Sequence, residues 1–389
     1  MNKLILNELQ KWFPELSIKN ISPQTFTRPN YDEDIDSICQ RQLVEINQDI
    51  KDNKSFDIFL MPLSLNENLT ELTGLVLAHH IRLSKEFSFC EKPIVFYGYI
   101  DLEQVLKLSP LARILLTDRV HYINLSSFND QNIAGFKEKL KQSFNKEFSL
   151  QGFLNQIEIQ PPPNYDTHHS IDNEFALIHW SKYIGCYEQL PEYFKKEFDS
   201  RLYFKYLLAK KPVKEIIDKK QFSILCNQVT NVLLIDDEWN KGWKEFYKSF
   251  YEHSPNIKFQ SIEIDFINTS QDKLIRIVEE RAIEHDADIV LIDLRLVDSD
   301  FDEKTAPENL TGIKVIEAIK NINKGIQIIV TTASNKAWNF RLAREKGAYD
   351  FIIKDRSGSP YASILQLKKV TEECSKRACI LKKIYKLIS

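Results

Sequence analysis

From residue 231 onward, short apolar runs alternate with stretches whose apolar residues recur at helical spacing. NVLLIDD (231–237) is an apolar run closed by two acids and predicts a buried strand. Residues 241–252 carry Trp243, Phe246, Tyr247 and Phe250 at helical spacing. The alternating IKFQSIEIDFI (257–267) predicts a strand, 271–285 a helix, and DIVLIDL (288–294) a second buried strand. TGIKVIEAIKNI (311–322) reads as a helix, IQIIVTTAS (326–334) as a strand, and AWNFRLAREKG (337–347) as a helix closed by Gly347. YDFIIKD (349–355) is then a strand and 360–387 an amphipathic helix. Apolar strands alternating with helices imply a parallel sheet covered on both faces. Such sheets place ligands at the carboxyl ends of their strands. The residues at those exits are Asp236, Asp237, Asp293, Thr331, Thr332 and Lys354.

The first third of the chain repeats this pattern. DIFLMPLSL (57–65) parallels DIVLIDLRL (288–296), and LTGLVLAHHIR (72–82) parallels LTGIKVIEAIK (310–320). KPIVFYG (92–98) and VHYINL (120–125) follow in the same order as GIQIIVTT and YDFIIK. Four ordered matches indicate a duplicated domain rather than a short repeat unit. The expected architecture is α/β, with two doubly wound parallel-sheet domains at 1–127 and 229–389 and a helical linker region at 128–228. PPPNYD (161–166) is a stiff connector, 171–220 is helical and rich in aromatics, and KKPVKEIIDKK (210–220) is a solvated basic helix.

Composition narrows the class. The chain has 389 residues, 43% apolar and 28% charged, with a net charge of −3, which excludes a disordered chain and a global basic field for nucleic acid or membrane. Only 10 glycines argue against a glycine-rich nucleotide cradle. The six cysteines show no metal-ligand spacing and read as reduced thiols of a cytoplasmic protein. The N-terminus is too interrupted by charge for a signal peptide, and no apolar run approaches the roughly 20 residues of a membrane span.

Asp236, Asp237 and Asp293 would emerge on one edge of the sheet. Clustered carboxylates repel one another, and their ionised forms need a cation. Mg²⁺ suits oxygen ligands of this kind. A carboxylate beside such a metal attacks a phosphoryl group to give an aspartyl phosphate. Thr332 offers a hydroxyl, and Lys354 a point charge, to the phosphate oxygens.

These residues make 230–389 resemble a receiver domain of two-component signalling, which has a flavodoxin-like fold. The resemblance implies that Asp236 and Asp237 bind metal, Asp293 accepts the phosphoryl group, and Thr332 and Lys354 contact it. It also implies that Phe351 is the aromatic switch, moving with Thr332. Three features depart from the family's pattern. Asp355 stands where the family has proline. The loop from Asp293 to Gly312 is long and acidic, with Asp298, Asp300, Asp302, Glu303 and Glu308, and either shields the site or forms a partner surface. Arg295 occupies a position that in this family tunes hydrolysis of the acyl phosphate. In the first copy Pro62 replaces the acceptor, no acid pair follows the first strand, Gly98 falls near the threonine position, and Asn124 or Leu125 near the lysine. That copy reads as a pseudo-receiver.

Other residues carry blander readings. His179 is a partly buried structural histidine, and His79–His80 and His168–His169 are exposed pairs. Lys210, Lys211, Lys214, Lys219 and Lys220 form a solvated helix face. The expected function is a response regulator phosphorylated on Asp293 by a histidine kinase or phosphotransfer protein, with Mg²⁺. No nucleic-acid or membrane partner is expected. Output runs through contact with a downstream protein, or the protein is a phosphate sink; homodimerisation is left open. Enzymatic activity is at most self-phosphorylation and autodephosphorylation. A non-phosphorylated scaffold is the alternative. An aspartate-nucleophile hydrolase is weaker, because the first strand ends in D-D-E rather than D-x-D.

Overall fold

The computed structural model describes all residues except 1, 24–32, 53, 67–70, 128–129, 163–167, 214, 218–222, 227, 303–304, 335, 357 and 389. The chain forms two compact units, Met1–Pro162 with Lys196–Pro212, and Pro163–Lys195 with Val213–Ser389. The stretch 128–228 is thus divided between the units, each half packing into an α/β body.

Elements of the first half run α1 (Asn2–Trp12), β1 (Ile18–Asn20), α2 (Ile35–Lys51), β2 (Ile58–Pro62), α3 (Thr73–Leu83), β3 (Ile94–Gly98), α4 (Leu102–Leu108), β4 (Val120–Asn124), α5 (Asp130–Asn145) and α6 (Leu150–Gln156). Three helices follow: α7 (His168–Tyr183), α8 (Glu192–Ser200) and α9 (Leu202–Lys210). The first sheet is parallel with order β1-β2-β3-β4. One face of it packs Ile58, Leu60, Val95, Tyr97 and Ile123 against Leu9, Phe13 and Leu140.

Two expectations fail in this half. His79 and His80 are fully buried rather than exposed, because α3 is covered on nearly every side. His79 Nδ1 lies 2.8 Å from the Leu75 carbonyl, and His80 Nε2 lies 2.9 Å from Asp36. The basic helix expected at 210–220 is also absent from the described residues. Helix α9 stops at Lys210, where the Lys211 amide closes onto the Leu207 carbonyl at 2.9 Å and Pro212 prevents continuation. Lys214, Lys219 and Lys220 lie outside the described residues, as do the side chains of His168 and His169.

The second unit continues with β5 (Thr230–Ile235), α10 (Trp243–Tyr251), β6 (Ile257–Ser261), α11 (Gln271–Glu284), β7 (Ile289–Ile292), α12 (Thr311–Ile322), β8 (Gln327–Thr332), α13 (Ala337–Glu345), β9 (Asp350–Ile353) and α14 (Pro360–Ile388). Its parallel sheet has the order β6-β5-β7-β8-β9, a doubly wound arrangement with the strand order reversing beside β5 and β7. Strand β6 is shorter than the 257–267 expected. After Ile262 the chain leaves the ladder, and a turn closes as Asp265 accepts from the Asn268 amide at 3.1 Å. Ile262 and Phe266 still reach the core, which explains why the alternation outlasts the strand.

The duplication is visible in three dimensions. Strands β1 to β4 take the places of β5, β7, β8 and β9, and among the described residues no strand of the first unit stands where β6 does. The shared LTG has a steric cause. A side-chain carbon on Gly312 would press into the Asp293 carbonyl and stand 2.6 Å from the Leu294 Cα. One on Gly74 would press into the Pro62 carbonyl and stand 2.9 Å from that of Leu63. Both glycine amides donate to the residue beyond the strand exit, Gly312 to Leu294 at 3.1 Å and Gly74 to Leu63 at 2.9 Å.

Candidate functional site

Strands β5 and β7 are neighbours, and each ends one residue before an acid. The Asp293 amide donates to the Ile235 carbonyl at 3.0 Å, which fixes the level of the two exits. Asp236, Asp237 and Asp293 therefore meet, with one carboxylate oxygen of each within 4.8 Å of the others. Asp236 and Asp293 are buried and Asp237 is half-buried.

Lys354 follows β9 and is fully buried. Its Nζ donates to Asp236 Oδ2 at 2.6 Å and to Asp293 Oδ2 at 3.3 Å. The ammonium also sits 4.3 Å from the ring centroid of Trp243, a contact that favours a cation. Burial alone would lower the lysine, but the charges of Asp236 and Asp293 outweigh it and hold Lys354 protonated. Burial pushes Asp293 upward against the opposing pull of Lys354. Asp237 is pushed well above the carboxylate range by burial and then by the charges of Glu238, Asp236 and Asp293. One lysine does not neutralise this cluster. Hard oxygen donors, converging and under-compensated, are the donor set that a small divalent cation takes.

Thr332 ends β8 and lines the same cleft as Asp237 and Asp293; its Oγ1 accepts from the Ser334 amide at 3.2 Å. Phe351 lies inward on β9, 8% exposed, with its ring 4.8 Å from that of Phe340. The structure thus brings Asp236, Asp237, Asp293, Thr332 and Lys354 to one sheet edge and puts Phe351 in the core beside it.

Several contributors escape the sequence pattern. Asp300, an acid of the long loop, is 1% exposed and faces inward. It accepts from the amides of Leu296 at 2.8 Å, Val297 at 3.2 Å and Thr311 at 2.9 Å, and from the Thr311 hydroxyl at 3.0 Å. The loop is thereby pinned to the start of α12, and its Phe301 lines the cleft with Arg295. Glu238, next after the acid pair, is held by Lys241 at 2.8 Å. Helix α7 adds Ser170 and Asn173 to the cleft wall. A lone acid in a polar loop, or a polar turn at a helix start, is too common in sequence to mark these roles.

Among the described residues the first unit has none of this chemistry at the corresponding edge. Pro62 ends β2, and a side-chain carbon on Gly98 would meet Leu63 and the Tyr122 hydroxyl. Asn124 ends β4 and donates to Asp101 at 2.6 Å. Among the described residues no helix is long and apolar enough to cross a membrane.

No curated protein matches the chain. Solved structures similar to it include the response regulator domain of Thermotoga maritima CheB, at 19% identity and a TM-score of 0.28, covering 39% of this chain and 98% of that one. Another is a CheY-like response regulator receiver domain protein from Methanospirillum hungatei JF-1, at 15% identity and a TM-score of 0.26, covering 39% of this chain and 97% of that one. The family described as the Inactive Receiver domain matches residues 10–123, the unit in which Pro62 stands at the strand exit.

Proposed function

We propose that the protein is a response regulator whose second unit accepts a phosphoryl group on Asp293, while its first unit serves as a non-phosphorylated contact module. The observation that carries this reading is the convergence of Asp236, Asp237 and Asp293 within 4.8 Å, with Lys354 bonded to two of them. In the proposed step an Asp293 carboxylate oxygen bonds to phosphorus as the bond to the donor nitrogen or oxygen breaks, and the leaving group takes up the displaced electron pair. Asp236, Asp237 and Asp293 would hold Mg²⁺, which when bound neutralises charge on the entering phosphoryl oxygens. Lys354 stays protonated and pairs with the new phosphate, and the Thr332 hydroxyl donates to it. A histidine kinase or phosphotransfer protein is the donor. The added charge biases Thr332 and Phe351 between two positions and so alters the face of α13, β9 and α14 for a protein partner.

The first unit supports the second half of the proposal. Its match to an inactive receiver family agrees with Pro62 and the missing acid pair, while its apolar core is kept. Incubation of the full chain with Mg²⁺ and acetyl phosphate, followed by intact-mass measurement, tests the reading. A single phosphoryl adduct that hydroxylamine removes, and that Asp293→Asn abolishes, is expected. An unmodified wild type, or equal modification of Asp293→Asn, removes the phosphoacceptor reading and leaves a scaffold built on receiver folds.

A further inference from the structure

Three consecutive polar residues of α7 grip loops around the acid cluster. Asp172 Oδ1 lies 2.5 Å from Arg356 Nε, two residues past Lys354. Asn173 donates through Nδ2 to Glu238, the residue after the acid pair. Glu174 pairs with Lys241 at 3.3 Å, and Lys241 also holds Glu238 at 2.8 Å. Ser170 and Asn173 line the cleft that contains Asp237, Asp293 and Thr332. Asn173 is 6% exposed, and its Oδ1 is buried with no hydrogen-bond partner. Further along α7, Trp180 packs edge-on against Trp243 at 5.6 Å and against Phe246 at 5.8 Å. The helix is therefore anchored by its apolar middle, while its polar first turns lie across the mouth of the site.

We propose that Asp172, Asn173 and Glu174 determine which phosphodonor reaches Asp293. They hold the first turns of α7 over the acceptor as a cap that a protein donor displaces. The proposal rests on the phosphoacceptor reading and deepens it. In-line attack needs the acceptor oxygen within about 3–3.5 Å of phosphorus. Ser170 and Asn173 wall the cleft that a histidine side chain carried on a protein surface must enter to come that close. The first turns of a helix have amides without intrahelical partners, so they separate from the body at lower cost than its middle. Once the cap lifts, the Asn173 side chain exchanges its hold on Glu238 for water, and the unpartnered Oδ1 is solvated. The anchor through Trp180 stays in place, so the cap closes again when the donor leaves.

The test reads access to position 293 with and without phosphoryl transfer. In the full chain, Asp293→Cys is alkylated with iodoacetamide, and labelling at that position is followed by peptide mass. The same measurement is made with Asp172→Ala and Asn173→Ala added. Loss of an ion pair and a hydrogen bond is expected to speed labelling about tenfold. Equal rates overturn the proposal. In the wild-type acceptor background, Asp172→Ala alone is expected to take phosphate from acetyl phosphate at least about threefold faster than wild type; where the wild type is modified, an unchanged or slower rate also overturns the cap. If the wild type and Asp172→Ala both stay unmodified, the phosphoacceptor reading falls, and the alkylation rates still decide whether α7 covers the site.

Discussion

Gly312 packs against Asp293 so closely that a side-chain carbon there would press into the Asp293 carbonyl and stand 2.6 Å from the Leu294 Cα. Gly74 stands over Pro62 in the same way. The glycine is thus kept by backbone packing and not by the chemistry of the strand exit. Gly312→Ala is expected to destabilise the second unit by about 1–3 kcal/mol, the usual cost of forcing a methyl group into a packed contact. Gly74→Ala should cost the first unit as much, although that unit has no carboxylate at its exit. Urea midpoints measure both. An unchanged midpoint for Gly74→Ala would mean that the repeat shares letters and not packing.

Much of the second unit is legible in sequence because each exit residue is adjacent to the strand that positions it. A buried parallel strand announces itself as an apolar run, and the topology brings Asp236, Asp237 and Asp293 together without further information. The cover of the site is not legible. Asn173 and Glu238 are 65 residues apart, and α7 carries no pattern that says which surface its polar first turns meet. His79 and His80 mislead for a related reason. Polar residue types suggest a surface, yet α3 buries all its residues except Val76, and its histidines find partners in Leu75 and Asp36. Alternation in IKFQSIEIDFI overstates β6, since a turn can bury Ile262 and Phe266 as a strand would.

Lys354 is the only cation the described residues place in direct contact with both Asp236 and Asp293. Lys354→Met is expected to cost the second unit about 3–5 kcal/mol at pH 7, because buried carboxylates lose their counter-charge. The folded-state values of Asp293 and Asp237 already lie above their ordinary ones. Such groups favour the folded state while protonated, and that contribution is lost as pH rises through the folded value. Removing the lysine raises them further. The deficit of Lys354→Met should therefore shrink from pH 7 to pH 5, and also on adding Mg²⁺ at pH 7. Tryptophan fluorescence follows this unit, since Trp180, Trp239, Trp243 and Trp338 belong to it and only Trp12 to the other. A deficit equal at both pH values would show that Lys354 acts by packing and not by charge.

The acidic loop after β7 owes its shape to Asp300. Asp300→Ala leaves the amides of Leu296, Val297 and Thr311 and the Thr311 hydroxyl without their acceptor. The expected loss is about 2–4 kcal/mol, reduced by whatever water enters. Amide hydrogen exchange is expected to quicken at Leu296, Val297 and Thr311 while the β8 amides stay protected. Asp298→Ala and Asp302→Ala, on the exposed side of the same loop, should change the urea midpoint by less than about 0.5 kcal/mol equivalent. If all three substitutions behave alike, the loop is held by its backbone and Asp300 has no special part.

The first unit carries its own acid sensitivity. Burial lowers His79 to about 4, and His121 to about 4 as well. In the unfolded chain both titrate near 6.5. A histidine with a depressed folded value binds its proton more tightly when unfolded, so stability is complete above about 6.5 and falls as pH drops toward 4. For fully buried His79 the contribution at stake is roughly 3 kcal/mol. His79→Leu removes one of three such groups, since burial also lowers His80, against the pull of Asp36. Leucine suits the site, because the histidine Nε2 is buried with no hydrogen-bond partner. Hydrogen exchange at the β2 and β3 amides, compared at pH 7 and pH 5 after correction for intrinsic rates, reports this unit alone. The wild type is expected to lose protection at pH 5, and His79→Leu to lose distinctly less. A loss of equal size in the two proteins would place the acid sensitivity on other groups, His121 first among them.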